Sequence, residues 1–489
     1  MANSAEAPKA GHRPPLCVDL DGTLIRTDIL WESVIQLWRK PMVAARALFA
    51  LLAGGKAGFK NTVAENTEVD PALLPYRDEV LEFIRAQRAS GRDVVLATAT
   101  HHLVARRIAD HLGLFSRVFA TEGTTNLSAR AKRDVLAACY GERGFDYIGD
   151  HEKDMQIFST AREALLVNPS PSLARRAAAV GTVSQVFRDE RVTPATFARA
   201  VRMHQWPKNI LVAIPLLTAH LVYSPEAWVL TGVAFFAFCC VASATYLVND
   251  LLDLQSDRMH AQKRHRPLAS GHLAIPAAMA WSMGLGMFGL AIAIAFLPRA
   301  FVGYLGVYVA LTLAYSFDLK RRLLIDALSL AILYTLRILA GGAALEVPVS
   351  EWLLMFSLFM FLSLAFLKRG IELQSHKGGG KVSGRGYAPV DLETIRVIGI
   401  SSGLMSVLVF AFYINSPVVS QLYRSPQILW LMCPLLIYWI ARIWFLAARG
   451  EVHHDPVVFA LLDYRSLLAG ACGVAVILLA KIGPVGLHW

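Results

Sequence analysis

The sequence predicts a multidomain chain: an α/β Rossmann-like domain over residues 1–190, then an all-α polytopic membrane bundle of about nine transmembrane helices. Apolar residues make up 55% of the 489 residues, which exceeds the share usual in soluble proteins. In the first part, short apolar strands alternate with helical segments, a pattern typical of parallel sheets. Beyond about residue 200, apolar runs of roughly 17–24 residues recur, and each is long enough to cross a bilayer.

Three predicted strands in the first part end in polar side chains. An apolar run from Leu16 ends in two aspartates, a run from Asp93 ends in hydroxyls, and a run from Phe145 ends in acidic residues. Because the carboxyl ends of parallel strands meet at one edge of a sheet, we expect a single ligand site there. Its candidate residues are Asp19, Asp21, Thr98, Lys132, Asp150 and Asp154.

These residues stand in four motifs: Asp19-x-Asp21-Gly22-Thr23, Thr98, Lys132 and Gly149-Asp150-x-x-x-Asp154. Together the motifs resemble those of the haloacid dehalogenase-like phosphatases. The resemblance implies that Asp19 is the nucleophile that takes the phosphoryl group and that Asp21 is the general acid/base. Thr98 and Lys132 are then phosphate ligands. The implied cofactor is Mg²⁺, with the ligands Asp19, Asp21, Asp150 and Asp154. A flavodoxin-like sheet with incidental aspartates and an inactive family member are the alternatives.

Residues 28–75 interrupt this domain between the first two motifs. They are predicted to form a small helical cap, which in such phosphatases gates the substrate. Within the cap, residues 41–55 are apolar but too few to span a bilayer. We expect this segment to pack in the core of the cap. A position on the membrane surface, or at an apolar entrance, is the alternative.

Residues 191–208 are predicted to be a linker and an interfacial helix, and 209–489 the membrane domain. The predicted spans are 209–223, 226–248, 273–297, 300–317, 324–345, 352–367, 393–413, 427–447 and 466–485. The loops on one side carry 15 Lys and Arg, whereas those on the other carry only Arg299 and Arg424. This bias predicts that the first set and the N-terminal domain lie in the cytoplasm, at a bacterial inner membrane. The net charge of +11 is therefore attributed to topology and phosphate binding, not to nucleic acid.

An acidic stretch closes the predicted span 226–248. Its polar residues are Asn249, Asp250, Asp253 and Asp257. Spacings of three and four place them on one helical face. Carboxylates at the end of an apolar helix are costly unless a cation lies among them, and Mg²⁺ with a diphosphate is the economical cation. Lys263 and Arg266 follow at once as candidate phosphate ligands.

A second polar group follows the predicted span 300–317, on the same predicted side. Its members are Tyr315, Asp318, Lys320, Asp326 and Arg337. Asp326 and Arg337 lie in or near an apolar segment, where ionisable residues are usually functional. An Asp–Arg pair that locks two helices is the alternative for Arg337. Two carboxylate clusters among basic residues suit holding a Mg²⁺–diphosphate while a carbon–oxygen bond to it breaks.

The second part resembles the UbiA superfamily of intramembrane transferases over essentially all of residues 200–489. The acidic stretch, with Tyr315-x-x-x-x-Lys320 and Asp326, carries this resemblance. Asp318 and Asp326 are eight apart, however, where aromatic prenyltransferases of the superfamily usually show Asp-x-x-x-Asp. Further stretches are similar to the decaprenyl-phosphate phosphoribosyltransferase branch: His204-Gln-Trp206-x-Lys208-Asn209, Lys263-Arg-x-Arg266-Pro267-x-Ala-x-Gly271, Arg337-x-x-Ala340-Gly341-Gly342-Ala343, Phe366-Leu-Lys368-Arg369-x-x-Glu372-Leu373 and His454-Asp455-Pro456-Val457-x-Phe459.

This branch implies phosphoribosyl pyrophosphate as the donor and a polyprenyl phosphate as the acceptor. The lipid phosphate attacks C1 of the ribose, and pyrophosphate leaves. We expect as catalytic residues Asp250, Asp253, Asp257, Lys320 and Asp326, of which the first three also hold Mg²⁺. We expect as substrate-binding residues Lys208, Asn209, Asn249, Lys263, Arg266, Tyr315, Arg337 and Lys368.

The fusion of the two parts suggests a shared task. Phosphoribosyl transfer leaves a 5-phosphate on the lipid-linked sugar, and the phosphatase-like domain is expected to remove it. A prenyltransferase that moves a polyprenyl group from its diphosphate to an aromatic or other small acceptor is the alternative enzyme. A transporter or a lipid scaffold is the alternative from another class. The basic loop 374–390 is expected to cover the donor phosphates or to be disordered, and His453-His454-Asp455 to form a surface loop.

Overall fold

The computed structural model describes residues 13–38, 40–122, 127–190, 192–375, 386–452 and 455–482. By its contacts the chain divides into two compact units. The first comprises Met1–Ala200 with Asp250–Ala280, and the second comprises Val201–Asn249 with Trp281–Trp489. Most of the basic loop 374–390, and His453 with His454, lie outside the described residues.

A six-stranded parallel sheet organises the first unit. Its strands are β1 (Leu16–Val18), β2 (Val94–His101), β3 (Arg117–Thr121), β4 (Asp146–Gly149), β5 (Glu163–Val167) and β6 (Thr182–Phe187). They are hydrogen-bonded in the order β3-β2-β1-β4-β5-β6, with parallel register throughout. The predicted Rossmann-like domain is therefore confirmed. The strand order reverses between β1 and β4, and the carboxyl ends of strands at such a point are the usual ligand position.

Helices cover both faces of this sheet. The helices of residues 13–200 are, in chain order, α1 (Ile29–Leu37), α2 (Pro41–Asn66), α3 (Asp78–Ala89), α4 (His102–Leu112), α5 (Ala129–Tyr140), α6 (Met155–Phe158), α7 (Pro171–Val180) and α8 (Pro194–Ala200). Successive strand residues point to opposite faces, so Leu16 and Val18 pack under α3 and α4, whereas Cys17 packs with α5, α6 and α7. This alternation explains why the strands consist of continuous apolar runs.

Helix α2 corrects one expectation about the cap. Ala47 and Val63 are buried, but Met42, Phe49 and Leu52 are 74%, 71% and 79% exposed. The expectation that the segment packs wholly in the core of the cap is therefore wrong. Residues 41–55 of this helix are apolar on every side except at Arg46, and the packing around Ala47 covers only one of these sides.

The rest of the chain is helical. Its helices are α9 (Ile214–Thr218), α10 (Pro225–Leu252), α11 (Leu254–Met259), α12 (Ile275–Phe296), α13 (Arg299–Phe317), α14 (Ile325–Ala344), α15 (Glu351–Ser375), α16 (Leu392–Ile414), α17 (Pro417–Leu422), α18 (Met432–Ala448), α19 (Pro456–Leu462) and α20 (Tyr464–Ile482). Among the described residues, eight helical segments are long and apolar enough to cross a membrane: Pro225–Leu252, Ile275–Phe296, Arg299–Phe317, Ile325–Ala344, Glu351–Gln374, Pro389–Ile414, Pro426–Ala448 and Tyr464–Ile482. The predicted all-α polytopic bundle is confirmed.

The sequence predicted about nine spans, and the described residues contain eight. The predicted span that does not form a single long helix is 209–223. Residues Met203–Ala213 form a 3₁₀ helix that contains Pro207, and the short α9 begins with a proline at its second position. Proline removes a backbone donor and clashes with the preceding turn, so a continuous α-helix does not form here.

A close backbone approach places this 3₁₀ segment against α14. A Cβ atom on Gly341 would lie 2.0 Å from the carbonyl oxygen of Val212, so only glycine permits the contact. Lys208 and Asn209 of the segment are consequently buried. The glycines that follow Arg337 in the sequence thus have a packing role that brings two candidate ligands to α14.

Candidate active sites

Three aspartates meet at the carboxyl ends of β1 and β4. One carboxylate oxygen of each of Asp19, Asp150 and Asp154 lies within 4.8 Å of the others. Burial and the charge of Asp19 raise the pKa of Asp150 to about 6 and that of Asp154 to about 7. Buried carboxylates this close repel one another, and a bound cation relieves the repulsion. An all-oxygen set of this size fits Mg²⁺, which prefers carboxylate ligands together with phosphate oxygens.

Lys132 lies beside the predicted nucleophile. Its ammonium is 2.9 Å from the carboxylate of Asp19 and donates to the Tyr147 hydroxyl at 3.0 Å. The hydroxyl of Tyr147 in turn donates to Asp154 at 3.3 Å. The charges of Asp19 and Asp154 raise the pKa of Lys132 more than its burial lowers it, so it stays cationic. A phosphate that approaches Asp19 therefore meets a fixed positive charge.

Asp21 lies outside this group of three and faces the cap helix. Its carboxylate accepts from the backbone amide of Ile29 at 2.8 Å and from the Thr100 hydroxyl at 2.5 Å. Burial and the neighbouring Asp28 raise the pKa of Asp21 to about 7. A carboxyl group with such a pKa can donate and accept a proton near neutral pH, as an acid/base catalyst must.

The backbone between these aspartates requires a glycine. Gly22 has φ +72, and a Cβ atom there would lie 2.2 Å from Asp150. Thr98, the predicted phosphate ligand, lies within β2 three residues before its end and is fully buried, and its hydroxyl accepts from the amide of Thr100 at 3.0 Å. The structure thus gathers the six predicted residues around β1, β2 and β4, while their chemical roles remain predictions.

We expect Tyr147→Phe to lower kcat/KM for a soluble phosphomonoester about tenfold, or ~1.4 kcal/mol. The variant keeps the ring but removes the hydroxyl that joins Lys132 to Asp154. Phosphate release by the purified full chain measures the effect. Tyr140→Phe is the matched control, since Tyr140 packs on Phe119 outside the site. Equal activities of the two variants would contradict the proposed role of the hydroxyl.

Arg77 holds the turn that follows β1. Its guanidinium donates to the carbonyl oxygens of Gly22, Thr23 and Ile25, and its Nε is 2.8 Å from Asp189. Arg77 thereby connects the motif turn to the segment after β6. Sequence reasoning missed this residue, because an arginine before a helix has no distinctive pattern.

We expect Asp189→Asn to lower the melting temperature of the first unit at neutral pH. Burial raises the pKa of Asp189, but Arg77, Asn168 and Arg26 together lower it further, to a net value below normal. A carboxylate whose pKa is depressed by folding stabilises the fold above its unfolded pKa of about 4. That contribution is lost as the pH falls through the lower folded value.

Melting curves of the full chain at pH 7 and at successively lower pH test this expectation. The difference between wild type and Asp189→Asn should be largest at neutral pH and should shrink as the pH falls below about 4. Asp134→Asn is the control, because Asp134 is exposed on α5. A difference that grows on acidification would contradict the sign of the effect.

Three carboxylates of the acidic stretch, Asp250, Asp253 and Asp257, belong to the first unit. Arg266 lies between two of its carboxylates, 3.1 Å from Asp250 and 2.5 Å from Asp257. Burial raises the pKa of Asp257, although Arg266 lowers it in part. Asp253 directly precedes α11, and Lys263 begins the 3₁₀ turn after it. Oxygen ligands of this kind suit Mg²⁺, but here the guanidinium of Arg266 supplies the positive charge between Asp250 and Asp257. Among the described residues, only Asp19, Asp150 and Asp154 form a group of three carboxylates whose oxygens are close enough to share one ion.

Two predicted residues of the second unit form a separate pair. Lys320 donates to the side chain of Asn249 at 3.3 Å. Tyr315, in contrast, donates to Asp326 at 2.8 Å, and Arg369 lies 2.5 Å from the same carboxylate. Asp326 and Arg369 are 0% and 2% exposed. They form the kind of buried Asp–Arg pair between two helices, α14 and α15, that was the alternative for Arg337.

Arg337 itself contacts neutral groups. It donates to the side chain of Asn209 at 2.9 Å, to the Tyr308 hydroxyl at 3.2 Å and to the carbonyl of Leu333 at 2.5 Å. The rings of Phe238, Tyr308 and Tyr334 surround its guanidinium. Within the described part of the chain, the groups in contact with this guanidinium carry no formal charge, so an anion beside Arg337 would be favourable.

Asp455 joins two of the predicted lysines. Its carboxylate is 2.7 Å from the Lys208 ammonium and 2.8 Å from that of Lys368. Burial alone raises the pKa of Asp455, but Lys368 and Lys208 depress it well below its usual range. Burial lowers the pKa of Lys208 to about 7, although Asp455 opposes this effect, so the triad carries a net positive charge only while Lys208 is protonated. The expectation of a simple surface loop is therefore wrong for Asp455, because the two ammonium groups bind it in a buried position.

Besides Arg77, sequence reasoning missed three members of these sites. Tyr147 lies in an apolar strand and has the pattern of a core residue. Arg369 and Asp455 stand inside two of the quoted motifs, but their partners are 43 and 87 residues away in sequence. For Arg369 and Asp455, the motif resemblance was the only sequence signal that could have identified them.

Family profiles match both parts of the chain. The UbiA prenyltransferase family matches residues 211–479, and the haloacid dehalogenase-like hydrolases match residues 16–159. An uncharacterized protein of Sinorhizobium fredii, y4nM, is 35% identical over 462 residues, which are 94% of this chain and 89% of that protein.

Two further proteins are similar to a part of this chain. A decaprenyl-phosphate phosphoribosyltransferase of Corynebacterium glutamicum is 36% identical over 222 residues, which are 44% of this chain and 66% of that enzyme. The structure of a UbiA homolog from Archaeoglobus fulgidus bound to GPP and Mg²⁺ has a TM-score of 0.45 and 17% identity, over 58% of this chain and 99% of that chain.

Proposed function

From the premise that this chain is an integral membrane protein of the UbiA prenyltransferase family, with a haloacid dehalogenase-like domain before its membrane part, we propose a bifunctional enzyme. The membrane part transfers 5-phosphoribose from phosphoribosyl pyrophosphate to a polyprenyl phosphate, and it requires Mg²⁺. The N-terminal domain removes a phosphate, namely the 5-phosphate of the product. Both sites face the cytoplasm of a bacterial cell, as the loop charges predict.

One observation carries the choice of donor. A stretch of 222 residues of this chain is 36% identical to an enzyme named decaprenyl-phosphate phosphoribosyltransferase. The five motifs quoted above point to the same branch. Phosphoribosyl transfer is therefore the specific reaction that we assign to the membrane part.

The charges of the second unit support this donor. Phosphoribosyl transfer to a lipid phosphate brings together a diphosphate, a 5-phosphate and a lipid phosphate. Prenyl transfer to an aromatic acceptor brings only a diphosphate. The triad Lys208–Asp455–Lys368 and the buried Arg337 offer cations apart from the acidic stretch. Lysine and arginine are the usual phosphate ligands in proteins, so these residues suit the additional phosphate groups.

In the proposed transfer, an oxygen of the lipid phosphate bonds to C1 of the ribose while the bond from C1 to pyrophosphate breaks. Asp250, Asp253 and Asp257 would hold Mg²⁺, which would supply positive charge for the departing pyrophosphate. Arg266 stabilises the negative charge of this pyrophosphate as a donor, and Lys320 keeps the catalytic role that its motif implies. Asp326 acts through Tyr315, which it orients by accepting its hydrogen bond.

In the proposed phosphatase step, Asp19 attacks phosphorus, and the sugar oxygen leaves with a proton from Asp21. Lys132 and Thr98 hold the phosphate oxygens. Asp21 then removes a proton from a water molecule that cleaves the aspartyl-phosphate. Its raised pKa of about 7 fits both proton transfers.

A prenyltransferase is the second candidate, because the matched family bears that name and the acidic stretch serves prenyl diphosphates equally well. Two labelled donors separate the candidates. Purified full chain receives either ribose-labelled phosphoribosyl pyrophosphate with a polyprenyl phosphate, or a labelled prenyl diphosphate with an aromatic acceptor. We expect label in lipid from the first donor only. Label transfer from the prenyl diphosphate alone would replace the proposal by the alternative.

A further inference from the structure

A buried ion pair joins the cap helix α1 to helix α11 of the acidic stretch, both within the first unit. The guanidinium of Arg258 lies 2.6 Å and 3.1 Å from the two carboxylate oxygens of Glu32. The side chains are 6% and 2% exposed. The fork geometry of arginine on a carboxylate makes this pair strong and directional.

Additional hydrogen bonds fix both partners. Glu32 accepts from the Thr27 hydroxyl at 2.7 Å, and the Nε of Arg258 donates to the carbonyl of Ala269 at 2.9 Å. Gln255 of α11 donates to the carbonyl of Glu68 at 3.1 Å. All polar atoms of the pair therefore have a defined orientation, and the contact is larger than a single ion pair.

Glycine also allows this contact. Gly271 has φ +78, and a Cβ atom there would lie 2.6 Å from the Cβ of Arg26 and 3.2 Å from Pro75. The loop after the acidic stretch therefore lies directly on the turn that follows the Asp19 motif. A larger residue at this position would push the loop away.

Each member of the pair is next to a residue of one candidate site. The amide of Ile29, at the start of α1, donates to Asp21 at 2.8 Å, and Glu32 follows less than one turn later. Arg258 follows Asp257, which holds Arg266 together with Asp250. A displacement of α11 consequently moves the carboxylate of Asp257.

We propose that Glu32, a residue of the phosphatase cap, is a positioning residue for the transferase reaction: through Arg258 it holds the Asp257 carboxylate in place to bind the Mg²⁺–diphosphate of the donor. The inference rests on the proposed function. It explains why the transferase and the phosphatase share one chain, since the cap supplies part of the framework of the transferase site.

The charge balance predicts how the pair responds to mutation. Removing one partner leaves the other buried and unpaired, which destabilises a protein strongly. Removing both charges avoids this cost but also removes the connection. The double variant therefore distinguishes a purely structural pair from a positioning pair. If the pair positions Asp257, the double variant regains thermal stability but still binds the donor weakly.

The experiment compares full-length wild type with Glu32→Gln, with Glu32→Gln/Arg258→Gln and with the control Glu82→Gln, whose side chain is exposed on α3. Three quantities are measured. These are KM and kcat for phosphoribosyl pyrophosphate, the Mg²⁺-dependent rise in melting temperature with inorganic pyrophosphate, and phosphatase activity on a soluble phosphomonoester.

We expect Glu32→Gln to raise the donor KM about tenfold and to weaken the pyrophosphate effect equally, with kcat and phosphatase activity within about threefold of wild type. In the double variant the melting temperature recovers, but the donor KM stays high. A donor KM that recovers together with stability would overturn the proposal, as would a Glu32→Gln variant that behaves like Glu82→Gln.

The pyrophosphate measurement separates this inference from the proposed function. If wild type responds to Mg²⁺ and pyrophosphate but transfers no phosphoribose, the donor assignment fails while the role of Glu32 is still tested. If the response is the same in wild type and Glu32→Gln, the role of Glu32 fails whichever donor is correct. A wild-type protein without any response would overturn both.

Discussion

Replacing Asp253 by alanine is expected to reduce phosphoribosyl transfer to lipid at least about 10³-fold, or ~4 kcal/mol of transition-state stabilisation. Asp253 directly precedes α11, between Asp250 on α10 and Asp257 on α11. Without its carboxylate, Mg²⁺ is bound less firmly, and the charge on the departing pyrophosphate is poorly neutralised. Incorporation of ribose label into extracted lipid measures the loss, while phosphatase activity on a soluble ester should persist.

Asp318→Ala provides the matched control for this prediction. It removes the same charge from a carboxylate that is 54% exposed and paired with Arg322 one turn away. Exposed pairs of this kind contribute little, so transfer should stay within about twofold of wild type. Undiminished transfer by a folded Asp253→Ala protein would remove the acidic stretch from the mechanism.

Asp19→Asn is expected to lower phosphatase activity at least about 10³-fold, because the amide cannot form the phosphoryl intermediate. Its side chain keeps the size of the aspartate, so the fold should be retained. Transfer should continue, and the lipid product should then keep its 5-phosphate. Mass spectrometry of the lipid product from wild type and the variant measures both consequences at once.

Asp93→Asn serves as the control, since Asp93 is 66% exposed beside β2. Its product should have lost the 5-phosphate as in wild type. A 5-phosphate lost equally fast with Asp19→Asn would show that the phosphatase acts on some other substrate. Loss of transfer itself in Asp19→Asn would instead indicate that the two activities depend on one another.

The strand-end site was predictable because its geometry follows from local sequence. Asp19 and Asp150 each follow an apolar strand, and parallel strands present such residues at the same edge. The internal contacts were not predictable. Tyr147, which joins Lys132 and Asp154, has the pattern of a core residue, and only the packed structure shows where its hydroxyl points.

The membrane part shows the same division between local pattern and long-range contact. Apolar length predicted the helices, although the prolines near residue 210 removed one predicted span. The partners of its ionisable residues could not be predicted from the sequence. Asp326 pairs with Arg369, and Asp455 with two lysines, across separations that no periodicity encodes.

The sequence by itself determined the two fold classes, the helical and strand elements and the chemical types at each candidate site. Those properties depend on short-range periodicity and on residue spacing, which a sequence displays directly. Only the tertiary structure decided which charges meet. Glu32 and Arg258 are 226 residues apart, and their pairing depends on how α1 and α11 pack, since burial makes a charge costly unless a partner from elsewhere in the fold reaches it.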